Sequence, residues 1–498
     1  MATIQHKTYL GLKGYTIYKD TLTLQQQAKL REELVVQAYI PKAPVQAPGF
    51  PIYREVPNKF YLPRHFGIAL YGEPKEVKIQ PGVDIALEFN GQLRDYQEHV
   101  VKVYMKSALR SGNGGGGLLE IPCGRGKTVI ALKIIASLKK KTLVIVHKSF
   151  LLNQWIERIE QFLPGAKVGR IQGQIIDIED KDIVIGMLQS LSMKDYPDET
   201  FSSFGLSIVD ECHHISSEVF SRSLQKVLTF YALGLSATMQ RKDGLSKVFK
   251  MFLGEIIYQE KREGGDEVLV KAVQFDTTDE EFNEMVYDYR GNPAFSTMIS
   301  KLCAFSHRSE FILQVLKAEL ALKAGQQVMI LAHNKNVLTY LHDAITHRQI
   351  ATVGYYVGGM KEAALKETES KEVIIATYSM AAEALDIKTL TTLILATPRT
   401  DITQAVGRIL RVKHERPLVV DIIDSHPVFQ QQWLKRKKFY ISNKYQIQHT
   451  NSQRYAANKW TTLYDPADSP AAADKRKSKQ LTLEEVSSKA LIKGKCFL

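Results

Sequence analysis

Several groups of residues have the types and spacing needed to hydrolyse a phosphoanhydride. The string PCGRGKT, Pro122 to Thr128, follows the apolar run GLLEI and precedes TVIALKII, which has helical spacing. A strand, a glycine-bearing loop and a helix in that order present backbone N–H groups to phosphates. Pro122, Cys123, Gly124, Arg125 and Gly126 form the loop, and its glycines let the backbone approach closely. Lys127 supplies a point charge to the β- and γ-phosphates, and the Thr128 hydroxyl is placed to ligate Mg2+. The strict phosphate-loop pattern wants glycine at position 121, where this chain has Ile121. In LSIVDECHH an apolar run ends in Asp210 and Glu211. Asp210 is suited to hold Mg2+ through water, and Glu211 to orient and deprotonate the attacking water. The string QAVGRILR sets Gln404, Arg408 and Arg411 at helical spacing, so that all can share one face. Arginines carried by one domain to a phosphate bound on another stabilise transition-state charge. Each string alone has a bland account: a glycine-rich turn, a solvated acid pair, a basic helix face. Their joint occurrence favours the chemistry.

These residues need elements to position them. From Leu93 onward short apolar runs alternate with amphipathic helical runs. GLLEIP, TLVIVH, DIVIGM, LSIVDE and YALGLSAT are buried-strand candidates. A second series follows: QVMILAH, ATVGYYVGG, EVIIATY, TLILAT and PLVVDIID. Strand then helix, repeated, implies a parallel sheet covered on both faces. The expected architecture is α/β, with two tandem parallel-sheet domains over residues 91–265 and 266–445. A small N-terminal α+β accessory domain occupies 1–90, with KFYLPRHFGIALYG read as β-like, and a flexible basic tail occupies 446–498. The glycine run SGNGGGG, Ser111 to Gly117, precedes the first strand and reads as a flexible loop. His213 and His214 lack partner ligands at metal-binding spacing, so coupling to neighbouring elements is the better reading.

Bulk properties set wider bounds. At 498 residues the chain exceeds one ordinary core. Lys plus Arg exceeds Asp plus Glu by 66 − 53 = 13, which favours a polyanionic partner. Cys123, Cys212, Cys303 and Cys496 are widely spaced and signal neither a disulfide framework nor a zinc site. The first residues have no secretory core, no run approaches the ~18 apolar residues of a membrane span, and KCFL misplaces the cysteine for prenylation. An intracellular protein without a membrane partner is expected; the oligomeric state stays open.

As an ordered set the strings resemble the motifs of superfamily-2 helicases, over Leu93 to about Tyr440, which implies that the two tandem parallel-sheet domains are RecA-like. LRDYQ resembles the segment that meets adenine, which implies Gln97 as a contact to ATP. HKSFLLNQW and MLQSL resemble nucleic-acid-tracking motifs, which implies roles for His147, Lys148 and Gln189. SATMQRKDG resembles motif III of the XPB-like branch, with Ser236, Ala237 and Thr238 coupling nucleotide state to domain orientation. VMILAHNKNVLTYL resembles motif IV. ATYSMAAEALDI resembles motif V and brings in Glu383 and Asp386, with Ala384 where many relatives carry glycine. FPIYREVPNKFYLPRHFG, GGMK and VVDIID…F resemble helicases of large DNA viruses, including the poxvirus transcript-release type. That resemblance implies an Mg2+- and ATP-dependent DNA helicase or translocase with 3′-to-5′ movement. It would act in viral transcription, repair or recombination, with the transcription machinery as a partner, in an infected cell or virion. An RNA helicase and a duplex translocase that never separates strands remain alternatives.

Overall fold

The structure is a computed structural model that describes residues 6–39, 45–110, 112–122, 124–212, 217–239, 244–260, 267–322, 325–383, 387, 389–410, 414 and 416–468. The chain divides into two compact units, residues 1–261 and 262–498.

The N-terminal elements form part of the first unit. β1 (Thr8–Gly11), β2 (Gly14–Tyr18), β6 (Lys59–Leu62) and β5 (Arg54–Val56) make an antiparallel sheet in that order. β3 (Val35–Val36) and β4 (Phe50–Pro51) pair beside them. The stretch expected to be β-like splits: KFYL is strand, but a helix runs from Arg64 to Tyr71. Arg64 explains why residues 1–90 do not stand apart. Its side chain is buried and donates to the carbonyls of Phe230 (2.9 Å) and Asn113 (3.0 Å), on loops flanking the large parallel sheet. Burial pulls its pKa down to about 10, so it is still charged, and the carbonyl dipoles compensate that charge.

The first large sheet has eight strands. In chain order they are β7 (Gly115–Glu120), β8 (Thr142–Val146), β9 (Val168–Gln172), β10 (Ile175–Ile176), β11 (Ile183–Met187), β12 (Leu206–Val209), β13 (Tyr231–Ser236) and β14 (Ile256–Gln259). Their spatial order is β10-β9-β11-β8-β12-β13-β7-β14, parallel except for the β10 hairpin edge. β8 and β12 are buried along their whole length. Strands covered on both faces select such continuous apolar runs, and each Leu, Val or Ile so buried contributes about 1.5–3 kcal/mol.

The glycine run corrects an expectation. Gly115 to Gly117 are the first residues of β7, paired with Tyr231 to Leu233 of β13. A Cβ at Gly116 would lie 2.5 Å from the Ala232 carbonyl oxygen, and one at Gly117 would lie 2.7 Å from Ile257. The glycines are packing residues: neighbours press on the strand where side chains would stand.

The second sheet also has eight strands. They are β15 (Leu269–Phe275), β16 (Gln327–Ala332), β17 (Val353–Tyr356), β18 (Val373–Thr377), β19 (Leu390–Leu395), β20 (Leu418–Asp424), β21 (Gln446–Asn451) and β22 (Thr461–Tyr464). Their order is β17-β18-β16-β19-β20-β15-β21-β22, parallel except for β22. The tail expected from position 446 therefore starts later. β21 pairs in parallel with β15, Leu269 facing Gln446. QIQHTN is too polar to read as a buried strand; it forms near a sheet edge, where only Ile447 and Thr450 are buried. The Lys-rich stretch from position 469 lies outside the described residues.

Candidate functional site

The carboxyl ends of β7, β12 and β13 gather the phosphate-type residues of the first unit. β7 stops at Glu120, and the loop reaches the helix Lys127–Leu138 through Gly124 (φ +81°) and Gly126 (φ +76°). Both glycines lie in the left-handed region that disfavours side chains. At Gly126 a Cβ would also sit 2.5 Å from Gln97 Nε2. The loop thus enters a helix of twelve residues whose first N–H groups have no partner within the helix.

Lys127, the first residue of that helix, places Nζ 2.7 Å from Glu211 Oε1. The two belong to separate strand ends, and both side chains are mostly buried. Glu211 has φ +47°, an uncommon backbone for a residue with a side chain. Its N–H donates to Asp210 Oδ1 (2.9 Å). The other Asp210 oxygen accepts the Trp155 indole N–H at 2.9 Å. Burial, with the Glu211 charge alongside, pushes the Asp210 pKa up to about 6, against the pull of Lys127 and of both N–H donors. Cys212, also buried and near both carboxylates, has its thiol pKa pushed up to about 12. It is inert packing rather than a nucleophile.

The next string locks onto the same corner. Ser236 ends β13 and its carbonyl accepts the Ile121 N–H (2.9 Å) at the mouth of the loop. Its hydroxyl bonds the Thr238 carbonyl (2.5 Å) and accepts the Thr238 N–H (3.3 Å). Cys212 contacts Met239 at 3.9 Å between sulfurs. The residues that follow β12 and those that follow β13 therefore pack against each other.

Gln97 faces the loop directly. Its Nε2 donates to the Arg125 carbonyl (3.2 Å), and its Oε1 accepts the Arg94 N–H (3.0 Å). Tyr96 donates its hydroxyl to the same Arg125 carbonyl (2.7 Å). The Arg125 guanidinium lies 4.0 Å over the Tyr96 ring and pairs with Glu260. Sequence reasoning missed Tyr96, Trp155 and Glu260. The first two stand inside quoted motifs and were legible by position; Glu260 carried no signal.

The Asp210 carboxylate and the Thr128 hydroxyl are hard oxygen donors, the class Mg2+ takes. Each Asp210 oxygen accepts one N–H and keeps a further lone pair, so the set fits that ion.

Of the residues linked to nucleic acid, Gln189 is exposed and donates to the His147 carbonyl (3.1 Å). The His147 ring is buried, 9% exposed, so this residue presents backbone rather than imidazole. Lys148 caps the helix Ser149–Phe162.

In the second unit, Gln404 and Arg408 lie on the helix Thr403–Arg408. Arg408 is buried and its Nε donates to the Ala381 carbonyl (2.8 Å), on the helix Tyr378–Glu383 that follows β18. The described helix ends at Arg408. Cys123, His213, His214, Arg241, Asp386 and Arg411 lie outside the described residues, as does the side chain of Glu383. Among the described residues no cluster of His, Cys, Asp and Glu suits a metal, and no helix is long and apolar enough to cross a membrane.

Comparison with known proteins adds an independent line. Residues 90–241 match the family model described as "Type III restriction enzyme, res subunit". A protein of Acanthamoeba polyphaga mimivirus, named as an ATP-dependent RNA helicase, is 34% identical over 458 residues, covering 89% of this chain and 86% of its own. An African swine fever virus protein with a name of the same kind is 26% identical over 442 residues, covering 80% of this chain and 82% of its own. A Sulfurisphaera tokodaii protein named as a DNA 3′-5′ translocase is 34% identical over 197 residues, covering 38% of this chain and 42% of its own.

Proposed function

The chain belongs to the superfamily-2 helicases, related to those of large DNA viruses, and on that premise we propose that it is an ATP-driven motor acting on DNA, moving 3′ to 5′ in viral transcription, repair or recombination within the infected cell. Helicase membership brings ATP hydrolysis and nucleic-acid binding with it. The observation that carries the catalytic reading is the meeting of Lys127 and Glu211 at 2.7 Å beside Asp210.

In this reading the phosphates lie on the N–H groups of the Gly124–Thr128 turn. Lys127 then trades its Glu211 partner for the β- and γ-phosphate oxygens, which together carry more negative charge than one carboxylate and bind the Lys127 ammonium as a point charge. Glu211, so released, accepts a proton from the attacking water. Thr128 and Asp210 would hold Mg2+, which supplies charge neutralisation when bound. Gln97 reads the base while holding the loop. Gln404, Arg408 and Arg411 are assigned to the charge that develops on the γ-phosphate. Ser236, Ala237 and Thr238, with Glu383 and Asp386, would pass the nucleotide state to the track contacted at Lys148 and Gln189.

The preference for DNA rests on the XPB-like strings and on the relative named as a DNA translocase. The RNA reading is kept because the viral relatives carry RNA helicase names. Stimulation of ATP turnover by single-stranded DNA, duplex DNA and RNA separates them. Strongest stimulation by RNA would replace the first reading with the second.

A further inference from the structure

Unit 2 carries two large aromatic side chains that contribute nothing to its core. Tyr289 is 88% exposed and Tyr287 57% exposed. They stand on a short excursion between β15 and the helix Phe295–Ala304. The excursion is an ordered tip. Tyr287 bridges to Pro293, and the Ala294 N–H bonds the Val286 carbonyl (2.9 Å) across its base. Asp288 Oδ1 accepts the N–H groups of Asn292 (2.9 Å) and Arg290 (2.9 Å), the first above all holding the Asp288 carboxyl below its usual pKa. The Asp288 N–H bonds the Asn292 carbonyl (2.7 Å), and Gly291 takes the turn at φ +76°. Met285 and Val286 anchor the stem in the core.

Arg290 lays its guanidinium 4.9 Å from the Tyr289 ring centre. An exposed tyrosine beside a planar cation is the composition that stacks on unpaired bases. The stem itself is acidic, with Asp279, Glu280, Glu281 and Glu284. Phosphates are therefore disfavoured there, and the uncharged faces of bases are what the tip fits. Its place agrees. Phe295, directly after the tip, lies 6.5 Å from the His333 ring, which follows β16. His333 lies 4.9 Å from Tyr378, which follows β18, and the Arg399 guanidinium after β19 lies 5.6 Å from Tyr378. The base of the excursion thus adjoins the carboxyl ends of these parallel strands, the edge where open α/β sheets bind ligands.

We propose that Tyr287, Tyr289 and Arg290 form a base-stacking finger that grips the bases of a single nucleic-acid strand. The inference rests on the helicase reading above and adds a contact that depends on bases rather than on backbone.

The test uses the full chain, an intact thymidine oligomer and an abasic oligomer of equal length, with binding read by fluorescence anisotropy. The wild type should prefer the intact strand by roughly 5-fold or more. A Tyr287→Ala/Tyr289→Ala variant should bind both strands alike, near the wild-type affinity for the abasic one. Tyr289→Trp should keep the preference. ATP turnover without nucleic acid should be unchanged in every variant, which reports an intact fold. Equal wild-type affinity for the two oligomers, or a preference that survives loss of both tyrosines, overturns the finger and leaves the motor reading standing. Failure of the wild type to bind either strand overturns both.

Discussion

β12 of the first unit is followed at once by Asp210 and Glu211, and β20 of the second carries Asp421 at its middle and Asp424 as its last residue. Both pairs belong to the carboxyl half of an inner strand or the residues just after it, and both lie beside cationic side chains. Asp421 takes a bidentate pair from Arg436 (2.7 and 2.8 Å) and a hydroxyl from Tyr440 (2.9 Å). Asp424 takes a bidentate pair from Arg308 (2.6 and 2.8 Å). These aspartates are fully buried. Asp210 instead receives an indole N–H and one backbone N–H, and its pKa rises. A carboxylate matched by a guanidinium has its charge and lone pairs spent on the fold. One matched only by neutral donors keeps capacity for a cation. The strands look alike, and the company of each acid decides whether its charge is spent on the fold.

The largest effect should come from breaking a matched pair. Asp424→Ala leaves the Arg308 guanidinium buried without its partner, and should cost about 3–5 kcal/mol in urea unfolding. A midpoint close to wild type would remove the contrast. Lys127→Ala should lower ATP turnover on the order of 100-fold or more, with a much smaller change in unfolding midpoint than Asp424→Ala. Undiminished turnover would defeat the site assignment. Trp155→Phe keeps the packing and deletes one donor to Asp210. It should cost about 1.5 kcal/mol near neutral pH and raise the Asp210 pKa further. The smallest effect is a slope. The native Asp210 pKa of about 6 lies above the unfolded carboxylate value of ~3.9. The native state therefore holds this proton more tightly. The resulting stability is complete below ~4 and is lost as pH rises through about 6. Without nucleotide or Mg2+, thermal unfolding of Asp210→Asn should lack that loss, so the wild type should decline relative to the variant between these values. Parallel pH curves would show that Asp210 is not perturbed.

Much of this was legible where chemistry is encoded by near neighbours. PCGRGKT announces its turn because Gly124 and Gly126 must adopt positive φ. LSIV announces a buried strand because both faces are covered. The tyrosines beside Gly291 were not singled out, since a loop tyrosine has no local mark of exposure. Gly115 to Gly117 misled, because a glycine run reads as freedom when nothing shows what presses against it; the Ala232 carbonyl and Ile257 do. β21 misled in the opposite sense, because its polar residues are allowed only by its place near the sheet edge.

Order along the chain alone was enough to determine the α/β class, the glycine turn before Lys127 and the acid pair after LSIV. Those features depend on periodicity and on residues a few positions apart. The guanidinium partners of Asp421 and Asp424, the neutral donors around Asp210, and the supporting places of Trp155 and Arg64 were decided only in three dimensions. Each depends on a partner distant in sequence, and whether a buried charge meets a guanidinium or an indole is set by packing that no local pattern encodes.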